Sequence, residues 1–254
     1  MENLWNNLKK EFKNHLDKNG FDRVVLGLSG GLDSAIVALL ASEVLGGNNV
    51  RAIMMKTKYT SDLSLNIAQK IAKNCKLCYS EIDIDKLIEF ETKILENVFG
   101  ENVKGIVVEN LQARVRGQIL MAYSNQFGDM VLGCSNKSEI HTGYCTLYGD
   151  VCGGLLPIGN IYKSEIFKLA KWLNRNEERL PKEVIDRAPS AELCYNQRDE
   201  NTLPPYYILD EILMHIVDGK KLQNCFKKEL INSVLELNRR SYFKRKQLPP
   251  ILLL

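Results

Sequence analysis

The chain has no apolar run approaching the roughly 20 residues that a bilayer-crossing helix needs. No membrane role is expected. The opening residues, MENLWNNLKKEFKNHL, alternate apolar and charged positions and do not form a signal sequence, so the expected location is the cytoplasm. Charge of one sign is hardly in excess. With 34 Lys and Arg against 31 Asp and Glu, a net charge of +3 gives no argument for nucleic acid. The three histidines are scattered, and the seven cysteines lack the dense spacing of a secreted disulfide scaffold. Cys75 and Cys78 have CxxC spacing, but Cys134, Cys145, Cys152, Cys194 and Cys225 supply no second pair, which argues against zinc or an iron–sulfur cluster. Reduced thiols at a helix end running into a strand are expected there, with a redox or metal role as the alternative.

A length of 254 residues suffices for one α/β domain with a sizeable core and not for two catalytic domains, so residues 1–254 are expected to form a single domain. Leu4, Trp5, Leu8, Phe12 and Leu16 recur at helical spacing, and the segment ends at Gly20, a natural helix stop. Short branched-apolar runs at 23–29 (RVVLGLS) and 50–55 (VRAIMM) predict buried parallel strands, with further strands at 77–84 and 129–134. Helical segments fall at 34–45, 61–74, 85–99 and 107–126. Alternation of this kind predicts an α/β fold with a doubly wound parallel sheet. The second half is less regular. Residues 143–160 are too glycine-rich for regular structure and long enough for a functional loop, followed by a helix at 163–173. A loop then passes through Pro189, Pro204 and Pro205, and helices are expected near 206–217 and 226–239.

LGLSGGLDS, residues 26–34, stands where the first strand turns into a helix. Small residues in succession let backbone N–H groups converge, and the helix N-terminus behind them adds partial positive charge, so the loop suits phosphate. It lacks the Gly-Lys-Ser/Thr ending of a Walker loop and the GxGxxG spacing of dinucleotide folds. Asp33 at its exit would repel a polyphosphate unless a magnesium ion lay between, although Asp33 or Ser34 as a helix cap is the structural alternative.

The loop resembles the SGGxDS motif of the ATP-pyrophosphatase superfamily. ENLQARVR at 109–116, GCSNKSE at 133–139, GYCTLYGD at 143–150, PIGNIYKSE at 157–165 and APSAEL at 188–193 together resemble its ammonia-dependent NAD synthetase branch over nearly the whole chain. The resemblance implies a three-layer, Rossmann-like domain of the adenine-nucleotide alpha-hydrolase type, and a homodimer holding a dinucleotide at the subunit interface, for which the helix around 107–123 offers an apolar face. It implies that ATP is held by Gly27, Leu28, Ser29, Gly30, Gly31, Leu32, Asp33 and Ser34, with Cys134, Lys163 and Ser190, and that magnesium is held by Asp33 and Glu139. Lys163 would neutralise charge as pyrophosphate leaves. Arg114, Phe243 and Lys244 would contact deamido-NAD, and Asp150 would position ammonium and accept its proton. From residue type alone, the alternatives are a helix-start glutamate for Glu139, an exposed helix-start lysine for Lys163, a turn residue for Ser190, a solvated helix face for Arg114 and Arg116, and a basic tail or an RNA patch for RRSYFKRK.

Three positions depart from the family pattern. Cys134 replaces a threonine, Lys56 a proline, and Gly154 an acidic residue that contacts deamido-NAD. The implied reaction has two steps: the nicotinate carboxylate of deamido-NAD attacks the α-phosphorus of ATP, and ammonia then displaces AMP. With only 28 residues ahead of SGGLDS there is no room for a glutaminase, so free ammonia is the expected nitrogen source. Two rivals remain. A tRNA-modifying member of the superfamily would bring an RNA-binding domain or paired CxxC motifs, and a non-catalytic nucleotide sensor would have no need of Asp33, Glu139 and Lys163 together.

Overall fold

The computed structural model describes residues 1–253. Four parallel strands, β1 (Val24–Gly27), β2 (Val50–Lys56), β3 (Cys78–Asp83) and β4 (Met130–Leu132), lie in the order β3-β2-β1-β4. Val24 is in register with Val50 on one side and Met130 on the other. The sheet is built outward from β1 in both directions, so chain order reverses beside it. Between β1 and β4 the connections leave toward opposite sides and open a crevice at the strands' C-terminal ends.

Side-chain alternation explains the three layers. Val24, Leu26, Val50, Ala52 and Met54 face a core shared with α1 (Glu2–Asn19), α2 (Leu32–Leu45), α3 (Asp62–Asn74) and α7 (Lys163–Leu173). Val25, Ile53 and Met55 face α4 (Asp85–Phe99) and α5 (Gly105–Phe127). Helix α2 is buried from Ser34 to Ala41 on every side, as a helix between a sheet and two other helices must be. A third cluster joins Tyr162 to α9 (Tyr206–Asp218) and α10 (Lys228–Arg240). Among the described residues no helix is long and apolar enough to cross a membrane.

All four predicted strands form; β2 runs one residue further than expected and the other three are trimmed at their ends. The stretch at 129–134 yields a strand of only three residues, because Asp129 pairs with Arg23 and Arg51 at 3.2 Å while Gly133 and Cys134 turn away into the crevice. The CxxC pair is a helix end running into a strand: Cys75 caps α3 and Cys78 begins β3. Helices α6 (Lys137–Thr142), α8 (Lys182–Asp186) and α11 (Tyr242–Arg245) were not expected, since four to six residues are too few to display a helical period. The 143–160 segment forms no strand of its own, only isolated bridges pairing Leu155 with Leu132 and Leu156 with Ile251.

Candidate active site

The SGGLDS loop crosses the top of β1 at the crevice. Gly30 has φ +76°, and a Cβ there would stand 2.3 Å from the Ser64 carbonyl oxygen, so the loop lies against α3 more closely than any side chain permits. Gly27, Leu28, Ser29, Gly31, Leu32, Asp33 and Ser34 line a cavity of about 590 Å³. Gly30 supports the loop from behind. Ser34 donates to the Gly31 carbonyl at 3.0 Å, so it is a local brace as well as a cavity residue.

Glu139 reaches the cavity from the other side of the switch. It is the third residue of α6, whose start is a capping box: Glu139 N–H donates to Asn136 Oδ1 at 3.0 Å, and Asn136 N–H donates to Glu139 Oε2 at 3.3 Å. Asn136 also donates to Asp33 Oδ1 at 3.3 Å, tying the β4 side to the β1 side. Lys163, the first residue of α7 and 4% exposed, places its ammonium on Asp33 and 3.9 Å from Glu139 Oε1. Its Nζ lies 5.6 Å from the Tyr206 ring centroid.

Burial, together with the Asp33 charge, pushes the Glu139 carboxyl well above its usual range. For Lys163 burial works downward, but Asp33 and Glu139 outweigh it and the ammonium is held more firmly than usual. Two carboxylates already converge on one buried positive charge. Among the described residues no cluster of three or more His, Cys, Asp or Glu is arranged to hold a metal. Two carboxylates and no more suit magnesium, which keeps water and phosphate oxygens among its ligands.

Asp150 lies on the same cavity. Its Oδ1 accepts Thr146 N–H at 2.7 Å and its Oδ2 accepts the Ser135 hydroxyl at 3.2 Å. The residue is exposed on the cavity, and crowding of its carboxylate by protein raises its pKa against the hydrogen bonds and the Lys244 charge that lower it. Lys244 donates to the carbonyls of Gly143 at 2.8 Å and Cys145 at 2.6 Å, holding the glycine-rich loop to the C-terminal segment. Cys134 lines the cavity as a neutral thiol, its pKa raised by burial and then by Asp33 and Glu139, so it is no nucleophile.

Residues 188–203 cover one side. Ser190 lines the cavity, but its hydroxyl donates to the Gln197 carbonyl at 2.6 Å and accepts Glu192 N–H at 3.1 Å, the turn role. Glu192 accepts from Ser61 and Ser64, each at 2.8 Å, latching this loop onto the start of α3. Arg114 is outside the main cavity. It borders a second cavity of about 510 Å³, separated from the first by Gly117 and Cys152, and donates to the Leu147 carbonyl at 3.3 Å. Phe243 is 56% exposed and lines neither cavity.

Several site residues escaped sequence reading. Arg116 lines the main cavity, donates to the Met55 carbonyl at 3.2 Å and has its pKa lowered by burial to about 10. Asp199 is 4% exposed on the cavity wall; its Oδ2 accepts the Tyr206 hydroxyl at 2.7 Å and its Oδ1 has no partner. The Asn-x-x-Glu spacing of NKSE was the available signal for α6 and for Asn136.

The NAD synthase family model matches residues 4–248. A glutamine-dependent NAD(+) synthetase of Synechocystis is 41% identical over 98% of this chain and 46% of that protein. The chain spans about half the length of the curated relatives it matches. Among solved structures, the NMN synthetase of Francisella tularensis superposes with a TM-score of 0.83 at 28% identity, covering 98% of both chains. The NH3-dependent NAD synthetase of Campylobacter jejuni gives 0.79 at 29% identity, covering 99% of this chain and 98% of that one.

Proposed function

Because the chain belongs to the NAD synthase family, we propose that it makes NAD from deamido-NAD by adenylating the nicotinate carboxylate with ATP and then amidating it with ammonia. The observation that carries this reading is the meeting of Asp33, Glu139 and Lys163 beside the SGGLDS loop at the switch point of the sheet. In the first step a carboxylate oxygen attacks the α-phosphorus and the bond to the β-phosphate oxygen breaks, so negative charge accumulates on departing pyrophosphate. Loop N–H groups and the Lys163 ammonium are preorganised for that charge. Magnesium, held by Asp33 and Glu139, would supply further neutralisation of the polyphosphate. In the second step ammonia attacks the activated carbonyl carbon, and AMP leaves with one of the original carboxylate oxygens. Asp150 orients ammonium and takes its proton, a task helped by a carboxyl whose pKa is raised by its enclosure.

Ammonia is the attacking species whatever supplies it. The relatives named for glutamine and the structural neighbour named for NH3 differ in that supply. A homodimer belongs to the same proposal. Helix α5 spends Leu111, Val115 and Leu120 on its own sheet, whereas Phe90, Ile94 and Val98 of α4 are 63%, 45% and 73% exposed in one stripe, a face suited to a second copy. A second reading, a mononucleotide substrate, is favoured by the likeness to an NMN synthetase. Product analysis with ATP, magnesium and ammonium decides. AMP and pyrophosphate should form in step with NAD, and faster with deamido-NAD than with nicotinate mononucleotide. ADP and phosphate would refute the reaction, and a reversed substrate preference would favour the second reading.

A further inference from the structure

One buried carboxylate joins the two helices that carry Glu139 and Lys163 without touching either side chain. Asp210, in the second turn of α9, is 1% exposed. Its Oδ1 accepts the Ser138 hydroxyl, and its Oδ2 accepts the backbone N–H of Ser164 at 2.7 Å. Ser138 Oγ in turn accepts the backbone N–H of Lys163 at 2.9 Å. Ser138 is the neighbour of Glu139 and Ser164 the neighbour of Lys163, so one side chain holds the residue beside each of two charged groups in the phosphate cluster, Ser138 by its hydroxyl and Ser164 by its backbone N–H. The three hydrogen bonds close a ring through Asp210, Ser138 and the first two residues of α7.

Backbone N–H groups in the first turn of a helix have no partner within the helix, and here Asp210 and Ser138 take up two of those of α7. Helix α6 has six residues, too few to be stable by itself, so its placement depends on what holds its start. Asparagine would not serve equally. A carboxylate accepts with both oxygens, whereas an amide that keeps its oxygen on Ser164 N–H turns its nitrogen to Ser138 Oγ, reversing that hydrogen bond and leaving the hydroxyl proton without its acceptor.

Resting on the proposed roles of Glu139 and Lys163, we infer that Asp210 is a positioning residue that sets the spacing of those two groups and thereby the rate of pyrophosphate departure. The Asp210→Asn variant is expected to lose roughly 10- to 100-fold in kcat, the scale of an ångström-sized misplacement at a reacting group. KM for deamido-NAD should stay near the wild-type value, because only groups acting on the departing charge are displaced. Ser138→Ala, which leaves the Ser164 arm and the packing of α9 in place, should shift kcat in the same direction and decides the matter if Asp210→Asn does not fold. Since Asp210 acts through its neighbours, adding Asp210→Asn to Glu139→Gln should cost clearly less than it costs in the wild type, what remains being displacement of Lys163. Losses that multiply in the double variant, or folded single variants with wild-type kcat, would overturn the inference. Wild-type protein that releases no AMP would instead refute the reaction on which it rests.

Discussion

The two ends of the main cavity are built differently. At the phosphate end, Asp33, Glu139 and Lys163 each sit in the first turn of a helix, and two of those helices follow strands on either side of the switch point. At the proposed acceptor end, Asp150 and Lys244 lie on a glycine-rich loop and a short C-terminal helix, held by hydrogen bonds between segments as much as 101 residues apart. The first end is fixed by the sheet, the second by side chains that reach across sequence. Damage at the phosphate end should therefore abolish chemistry in a molecule that still folds, whereas damage at the acceptor end should change how a substrate is held.

The largest contrast is expected from the carboxylates. Asp33→Asn or Glu139→Gln should reduce turnover by at least about 100-fold, since oriented charge at a reacting phosphate is worth several kcal/mol. Wild-type turnover in a folded variant would remove the distinction between the two ends. Lys244→Met comes next. Losing its bonds to the Gly143 and Cys145 carbonyls frees the loop that carries Asp150, and one such charged hydrogen bond is worth about 1.5–3 kcal/mol. KM for deamido-NAD should rise roughly tenfold while KM for ATP stays within about twofold, and an equal rise in both would show that the ends are not separable.

The smallest effect concerns the joint between the two ends, where Asn238 of α10 donates to His141 Nδ1 on α6 at 3.0 Å. Burial, followed by the charges of Arg245 and Lys137, lowers the His141 pKa from 6.5 to about 4. The unfolded chain binds the extra proton first as pH falls, so this contribution to stability is complete above pH 6.5 and is lost as pH drops toward 4. Denaturant unfolding of wild type at pH 7.5 and pH 5 should show about 1 kcal/mol more loss than the His141→Gln variant, allowing for screening by water. Identical slopes would place the pH sensitivity elsewhere.

The sheet was readable because buried strands alternate with helices at the expected spacing, and the phosphate loop because its small residues and Asp33 are adjacent in sequence. Glu139 and Lys163 were found through motif resemblance; what sequence could not show is that the reversal of chain order beside β1 brings both to Asp33. Arg114 and Arg116 look alike in sequence, yet two positions on a helix turn them toward different cavities. Asp199 sits in an irregular loop, where no periodicity assigns a side. Asp210 did leave a trace, a carboxylate between Leu209 and Ile212 on the apolar face of α9, and a buried charge demands partners that only the folded chain identifies.

The central claim is that the carboxylate of the substrate is joined to the α-phosphorus at the phosphate end before ammonia arrives at the acceptor end. It is tested most directly with deamido-NAD carrying ¹⁸O in the nicotinate carboxylate, followed by mass spectrometry of the nucleotide products. One labelled oxygen should appear in AMP for each NAD formed and none in pyrophosphate. AMP without label, or label in free phosphate, would contradict an acyl-adenylate.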